Sequence, residues 1–156
     1  MHTLFHTLSY VVMGIILAVI AYMGFLQVDT LFYMRQPISN IFISSVIVPD
    51  FKKGTNPEIQ YNRTINTSFL GDFSAELKSV DDGVTICSGE GHGIKYEAGE
   101  PIRKSDTEFD WYIGNFCSKS DLLQPGQYYL ETTYTIHVEG YPDRFLTTRS
   151  NVFTVT

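Results

Sequence analysis

Residues 1–28 contain no Asp, Glu, Lys or Arg, so all 17 acids and all 11 bases lie in residues 29–156. The chain is thus divided into a part that need not meet water and a part that must. Bases are also scarce overall, and the formal net charge is −6. Affinity for a phosphate backbone comes from clustered Lys and Arg, so a nucleic acid is excluded as the expected partner. There are only two cysteines and one tryptophan. With 156 residues the chain is too short for two ordinary domains and their linker. At 44% hydrophobic residues it is too apolar to be disordered throughout.

The uncharged run Leu8–Val28 reads LSYVVMGIILAVIAYMGFLQV. As a helix it would be about 31 Å long, which matches a hydrocarbon core of ~30 Å. It shows no polar stripe of the kind a buried soluble helix carries. Tyr10, Tyr22 and Phe25 lie toward its ends, followed by Phe32 and Tyr33, where an aromatic belt would sit. The expected division is a short tail at 1–7, a transmembrane helix at 8–28, a juxtamembrane stalk at 29–40 and a β domain at 41–156. The lipid bilayer is then the first partner. Gly14, Ala18 and Ala21 form a candidate helix-packing face, although small residues are common in membrane helices generally. The rival reading is a cleaved signal with Val19-Ile20-Ala21 at the cleavage site. It lacks the basic n-region such a signal needs, and the apolar run continues past that site. Arg35 flanks one side and only His2, His6 and the α-amine flank the other, so the positive-inside rule does not orient the helix.

After Pro37, which should stop the helix, the pattern changes to β-branched and alternating. Strands are expected at 41–49, 59–65, 69–80, 84–87, 109–113 and 128–138, with a last one at 144–155. Asp81-Asp82-Gly83 is a hairpin signal. In Tyr128–Val138 one face carries Tyr128, Leu130, Thr132, Tyr134, Ile136 and Val138, while the other carries Tyr129, Glu131, Thr133, Thr135 and His137. That strict period of two predicts a strand with one buried face. The last strand changes phase between Leu146 and Phe153, which predicts a bulge or irregular pairing. No amphipathic helix is expected after residue 40. The fold class is all-β, an antiparallel sandwich preceded by one transmembrane helix.

Pro125-Gly126-Gln127-Tyr128 is a Pro-Gly turn that opens a strand on tyrosine. It resembles the E–F corner of immunoglobulin-like domains, and the resemblance implies that the Tyr128 hydroxyl bonds back to upstream backbone. The chain departs from antibody domains in having Leu130 where the second cysteine would stand. The whole layout also resembles small single-pass membrane proteins of tailed bacteriophages that carry an immunoglobulin-like domain. The matching pieces are the polar start Met1–Tyr10, the single helix, the late Cys117, the Pro125–Tyr128 turn and the aromatic end Val152-Phe153-Thr154-Val155. That family brings no activity to carry over.

Cys87 and Cys117 admit three readings. They form a disulfide, which suits an extracytoplasmic domain; they are two buried free thiols; or they join His92 as three ligands for zinc or copper. No C-x₂-C or H-x₃-H pair supports the metal. Ser88-Gly89-Glu90-Gly91-His92-Gly93 alternates glycines, but no helix follows it, so it fails as a phosphate loop and is expected to be a mobile hairpin tip. Residues 81–110 hold eight acids and three bases and are expected to form a solvated acidic face. Asn62-Arg63-Thr64 and Asn66-Thr67-Ser68 fit the glycosylation acceptor rule. No catalytic arrangement and no cofactor fingerprint are found. The expected function is a non-catalytic binding or assembly module, held in the membrane with residues 29–156 outside the cytoplasm and contacting a protein or cell-surface partner. The alternatives are a structural subunit of a larger membrane or virion complex, and a metal chaperone or enzyme using Cys87, His92 and Cys117.

Overall fold

An uninterrupted helix, α1, spans His2–Arg35. In the computed structural model, residues 2–114 and 116–156 are described, with side chains from Val11 onward. The stretch Val11–Arg35 is long and apolar enough to cross a membrane, with a mean hydropathy of 2.4. The helix continues beyond Val28, so the first part of the expected stalk is helical. It ends just before Pro37, because a proline disfavours helical geometry in the residue preceding it. Gly14 has no atom within 4 Å of where a side chain would begin. His2 and His6 lie outside the residues whose side chains are described.

Residues Pro37–Thr156 form a separate compact unit. A first sheet pairs β1 (Phe42–Ile47) antiparallel with β2 (Gln60–Ile65). A second sheet contains β3 (Phe69–Ser79), β4 (Thr85–Tyr96), β5 (Gly126–His137), β6 (Arg144–Arg149) and β7 (Phe153–Val155). Its order is β4-β3-β5-β6, and β7 also pairs with β5. Neighbouring strands within both sheets are antiparallel.

Alternation sets the faces. Phe42, Ser44 and Val46 of β1, Phe73, Ala75 and Leu77 of β3, and every second residue of β5 from Tyr128 to Ile136 are buried. The inner faces of the two sheets meet through rings: Phe42 lies 4.9 Å from Tyr134 and 5.4 Å from Phe69, centroid to centroid. Such aromatic pairs add to the burial of their apolar area. The chain also links the sheets beyond their ladders. Phe51 forms a parallel bridge with Val155, and the Asn151 carboxamide bonds both backbone groups of Val48.

The expected irregularity near the C-terminus is present. Glu131 pairs with Arg149, and three residues earlier on β5 Tyr128 pairs with Phe153, four residues further on the partner. The extra residue is a bulge at Ser150–Val152. Ser150 Oγ accepts from Leu130 N, and Ser150 N donates to Leu130 O, so the ladder closes across the gap. This phase change turns Phe153 inward while Phe145 stays exposed.

Three expectations are corrected. Residues 109–113 are a short helix, α2 (Phe109–Ile113), and not a strand. Phe109, Tyr112 and Ile113, at i, i+3 and i+4, are buried, while Trp111 is 40% exposed. Gly114 ends the helix at φ 100°. The strand expected at 84–87 runs on to Tyr96, so the alternating glycines lie within β4 and are not a hairpin tip. A Cβ on Gly89 would lie 2.6 Å from the carbonyl oxygen of Tyr112, and one on Gly91 would lie 2.5 Å from the Phe73 ring. The glycines let α2 and Phe73 pack directly on bare strand. Finally, the acidic stretch is not uniformly solvated, because Asp106 and Asp110 are buried. Asp110 accepts from Ser118 N at 2.7 Å and from Ser118 Oγ at 2.8 Å.

Candidate functional site: an arginine in an aromatic pocket

β2 places Tyr61, Arg63 and Ile65 on one side of the strand, and Tyr61 and Ile65 are buried. Arg63 therefore shares the parity of core residues, and its side chain is only 7% exposed. A guanidinium cannot be neutralised in a protein, so burying it demands compensation. Two rings supply part of this: Cζ lies 5.6 Å from the Tyr61 centroid and 5.7 Å from the Tyr96 centroid. The nearest carboxylate oxygen, Asp106 Oδ2, stands 3.5 Å from Nη2. The buried Nε–H has no hydrogen-bond partner among the described residues.

Arg63 lines a cavity of about 180 Å³. Its walls include Phe73, Tyr96, Trp111 and Tyr112, and Lys95, Glu100 and Arg103 also border it. The local chain explains the placement. Residues 57–59 pair with 107–109 through Ile59 N to Thr107 O at 2.7 Å and Phe109 N to Pro57 O at 3.1 Å. This positions α2 and, through it, Trp111. Phe73 can stand where it does because Gly91 has no side chain.

Behind the cavity lies a chain of buried hydroxyls. Tyr112 Oη donates to Thr132 Oγ1 at 2.9 Å, which uses its only proton. The 2.8 Å contact between Tyr112 and Tyr134 must then be donated by Tyr134. Tyr134 accepts from Tyr61 at 2.9 Å and from Ser44 at 3.0 Å. Burial pushes the phenols of Tyr96, Tyr112 and Tyr134 up, so they stay protonated at any ordinary pH. They act here as neutral walls and hydrogen-bond relays, and the Tyr61 proton is already committed to Tyr134.

The residues expected from sequence lie elsewhere. Cys87 and Cys117 form a disulfide with Cα atoms 6.3 Å apart, tying β4 to the turn after α2. Both sulfurs are used in that bond, so neither is a thiolate ligand in this structure. His92 instead stands 3.7 Å from carboxylate oxygens of Asp72 and Glu90. Among the described residues no group of three or more His, Cys, Asp and Glu could hold a metal ion. The Tyr128 hydroxyl donates to Gln124 O at 2.7 Å across the Pro125-Gly126 turn. Asn62 and Asn66 are exposed.

Sequence reasoning missed Arg63, noticing it only inside an acceptor motif. The available signal was its parity with Tyr61 and Ile65. Comparison with protein-family models, with curated proteins and with solved structures finds no match to this chain.

Proposed function

We propose that this protein is a single-pass membrane protein displaying a non-catalytic, immunoglobulin-like binding module outside the cytoplasm. The observation that carries the reading is the Cys87–Cys117 disulfide in the unit that follows a membrane-length helix. Such bonds persist in oxidising compartments and are rare where thiols are kept reduced. The immunoglobulin-like part of the reading is supported by two antiparallel sheets with ring-packed inner faces and by the Tyr128 corner bond. Support for binding without catalysis comes from the hydroxyls of Tyr61, Tyr112 and Tyr134, which are committed to one another. The phage-type layout belongs to the same proposal, and so does the expected partner, a component of a cell surface.

Membranes bearing the full-length protein test it. Alkaline carbonate should leave the chain in the pellet with its N-terminus intact. Protease added to the non-cytoplasmic side should remove the β unit. Intact mass after alkylation without reductant should show both cysteines unmodified. Protection of the β unit, or alkylation of both thiols, would overturn the orientation.

A further inference from the structure

We propose that the Arg63 pocket binds an acidic monosaccharide, a pyranose ring carrying a carboxylate. This rests on reading the β unit as a binding module and names its ligand class. Four features of the pocket each restrict the ligand.

The first is the unused donor. Nε–H and Nη2 form the fork that takes a planar carboxylate side-on, with two parallel hydrogen bonds. In this fork Nε is buried without a partner, and Asp106 stands 3.5 Å from Nη2, beyond a normal charged hydrogen bond. The fork is therefore loosely held on one side and carries an unused, buried donor on the other. A carboxylate fills it better than a neutral oxygen, because a hydrogen bond between two charges is shorter and stronger.

The second is the pair of acids at the cavity. Glu100 accepts from Arg103 at 2.9 Å, and Asp106 faces Arg63. Glu100 is thus paired, and Asp106 shares Arg63 with the ligand. Ionised carboxylates only accept, however, and each keeps spare lone pairs. Neutral hydroxyl donors satisfy them without adding a charge. An α-amino acid would instead bring an ammonium to a lining that already holds three cations, Arg63, Lys95 and Arg103, against two acids.

The third is the wall. Trp111 is 40% exposed while Phe73 beside it is buried, their centroids 6.0 Å apart. The indole thus keeps exposed aromatic surface in the lining of the cavity, where a ring can pack. The fourth is size, since a cavity of about 180 Å³ is on the scale of one six-membered ring with its substituents. Carboxylate, hydroxyls and a ring together describe a sugar acid; Lys95, also in the lining, is paired with Glu97 at 2.6 Å.

Because Trp111 is the only tryptophan, fluorescence excited selectively at the indole reads this site apart from the tyrosines. The experiment titrates the full-length protein, in a detergent without a sugar headgroup, with glucuronate, glucose, benzoate and phenylalanine. The expected result is a saturable change with glucuronate, at least about tenfold weaker binding of glucose and of benzoate, and none of phenylalanine, tenfold corresponding to ~1.4 kcal/mol. Arg63→Lys keeps the charge but loses the fork, and it should weaken glucuronate by a similar factor while leaving the circular dichroism unchanged. No saturable change with glucuronate, equal binding of glucose, or tighter binding of benzoate or phenylalanine would overturn the proposal. If Arg63→Lys fails to fold, Trp111→Phe read by calorimetry replaces it, and undiminished glucuronate binding in that variant would overturn the proposal. None of these results depends on membrane orientation, so failure here leaves the topology reading to its own test.

Discussion

The side chain of Asn151 binds the backbone of Val48 as a neighbouring strand would. Its Oδ1 accepts from Val48 N at 2.8 Å, and its Nδ2 donates to Val48 O at 2.9 Å. Val48 is buried, so both backbone groups would otherwise be shut away from water without a partner. One carboxamide thereby fastens the end of β1 to the bulge between β6 and β7.

Asn151→Ala should therefore destabilise the β unit by about 1–3 kcal/mol, the range for leaving buried polar groups unsatisfied. Urea unfolding followed by circular dichroism measures it. A midpoint equal to wild type would show that water replaces the carboxamide at no cost.

Tyr128→Phe removes one hydroxyl and its 2.7 Å bond to Gln124 O. A loss of about 1 kcal/mol is expected, typical of a single hydrogen bond. The ring stays packed near Phe153, at 6.3 Å between centroids, so the change should not disturb the core. Unchanged thermal stability would remove the corner bond from the account.

Gly89→Ala and Gly54→Ala should separate close packing from backbone preference. At Gly89 the new methyl would meet backbone of Tyr112, Ile113 and Gly114 at 2.6–2.7 Å, which no side-chain rotation relieves. Overpacking of this kind costs about 1–3 kcal/mol. Gly54 has open space around it and only a φ of 84° to oppose substitution, worth about 1 kcal/mol. Comparable losses in the two variants would contradict the seating of α2 on bare strand.

Reducing Cys87–Cys117 opens a loop with a sequence separation of 30. In the chain-entropy model this lowers stability by roughly 3–4 kcal/mol. Paired melts with and without reductant, with alkylation confirmed by mass, give the value. An unchanged melt would mean that the reduced ensemble retains the same constraint.

His137 supplies a pH-dependent contribution. Its Nδ1 lies 2.7 Å from Asp143 Oδ1, and this bond, followed by a longer one to Asp72, raises its pKa above the usual 6.5. A raised folded-state pKa stabilises fully below the unfolded value and fades as pH rises through the folded one. Asp143→Asn should move the His137 titration, followed by NMR, back toward 6.5 and flatten stability between mildly acidic and alkaline pH. An unaltered titration would remove Asp143 as the cause.

The uncharged run and the strict alternation of Tyr128–Val138 were legible in the chain because both are local patterns, set by a helix rise and a strand pleat. The phase change between Leu146 and Phe153 was legible for the same reason, since a one-residue bulge must flip the apolar side. Local patterns along the chain thus established a membrane-length helix, a β unit and most of its strand positions. The rest came from contacts between residues far apart in the chain. Five residues cannot declare a helix, and α2 depends on contacts from outside it: the bare strand at Gly89, Ser118 on the side chain of Asp110, and Asn56 bonded to Asp110 N. The alternating glycines looked like a loop because glycine records only the absence of a side chain, and what fills that space comes from another element. Arg63 became a candidate site only when folding brought Asp106, Tyr96 and Trp111 to the same cavity. A charge is made functional by its surroundings, and those are set by distance in space, which the order of residues along the chain does not contain.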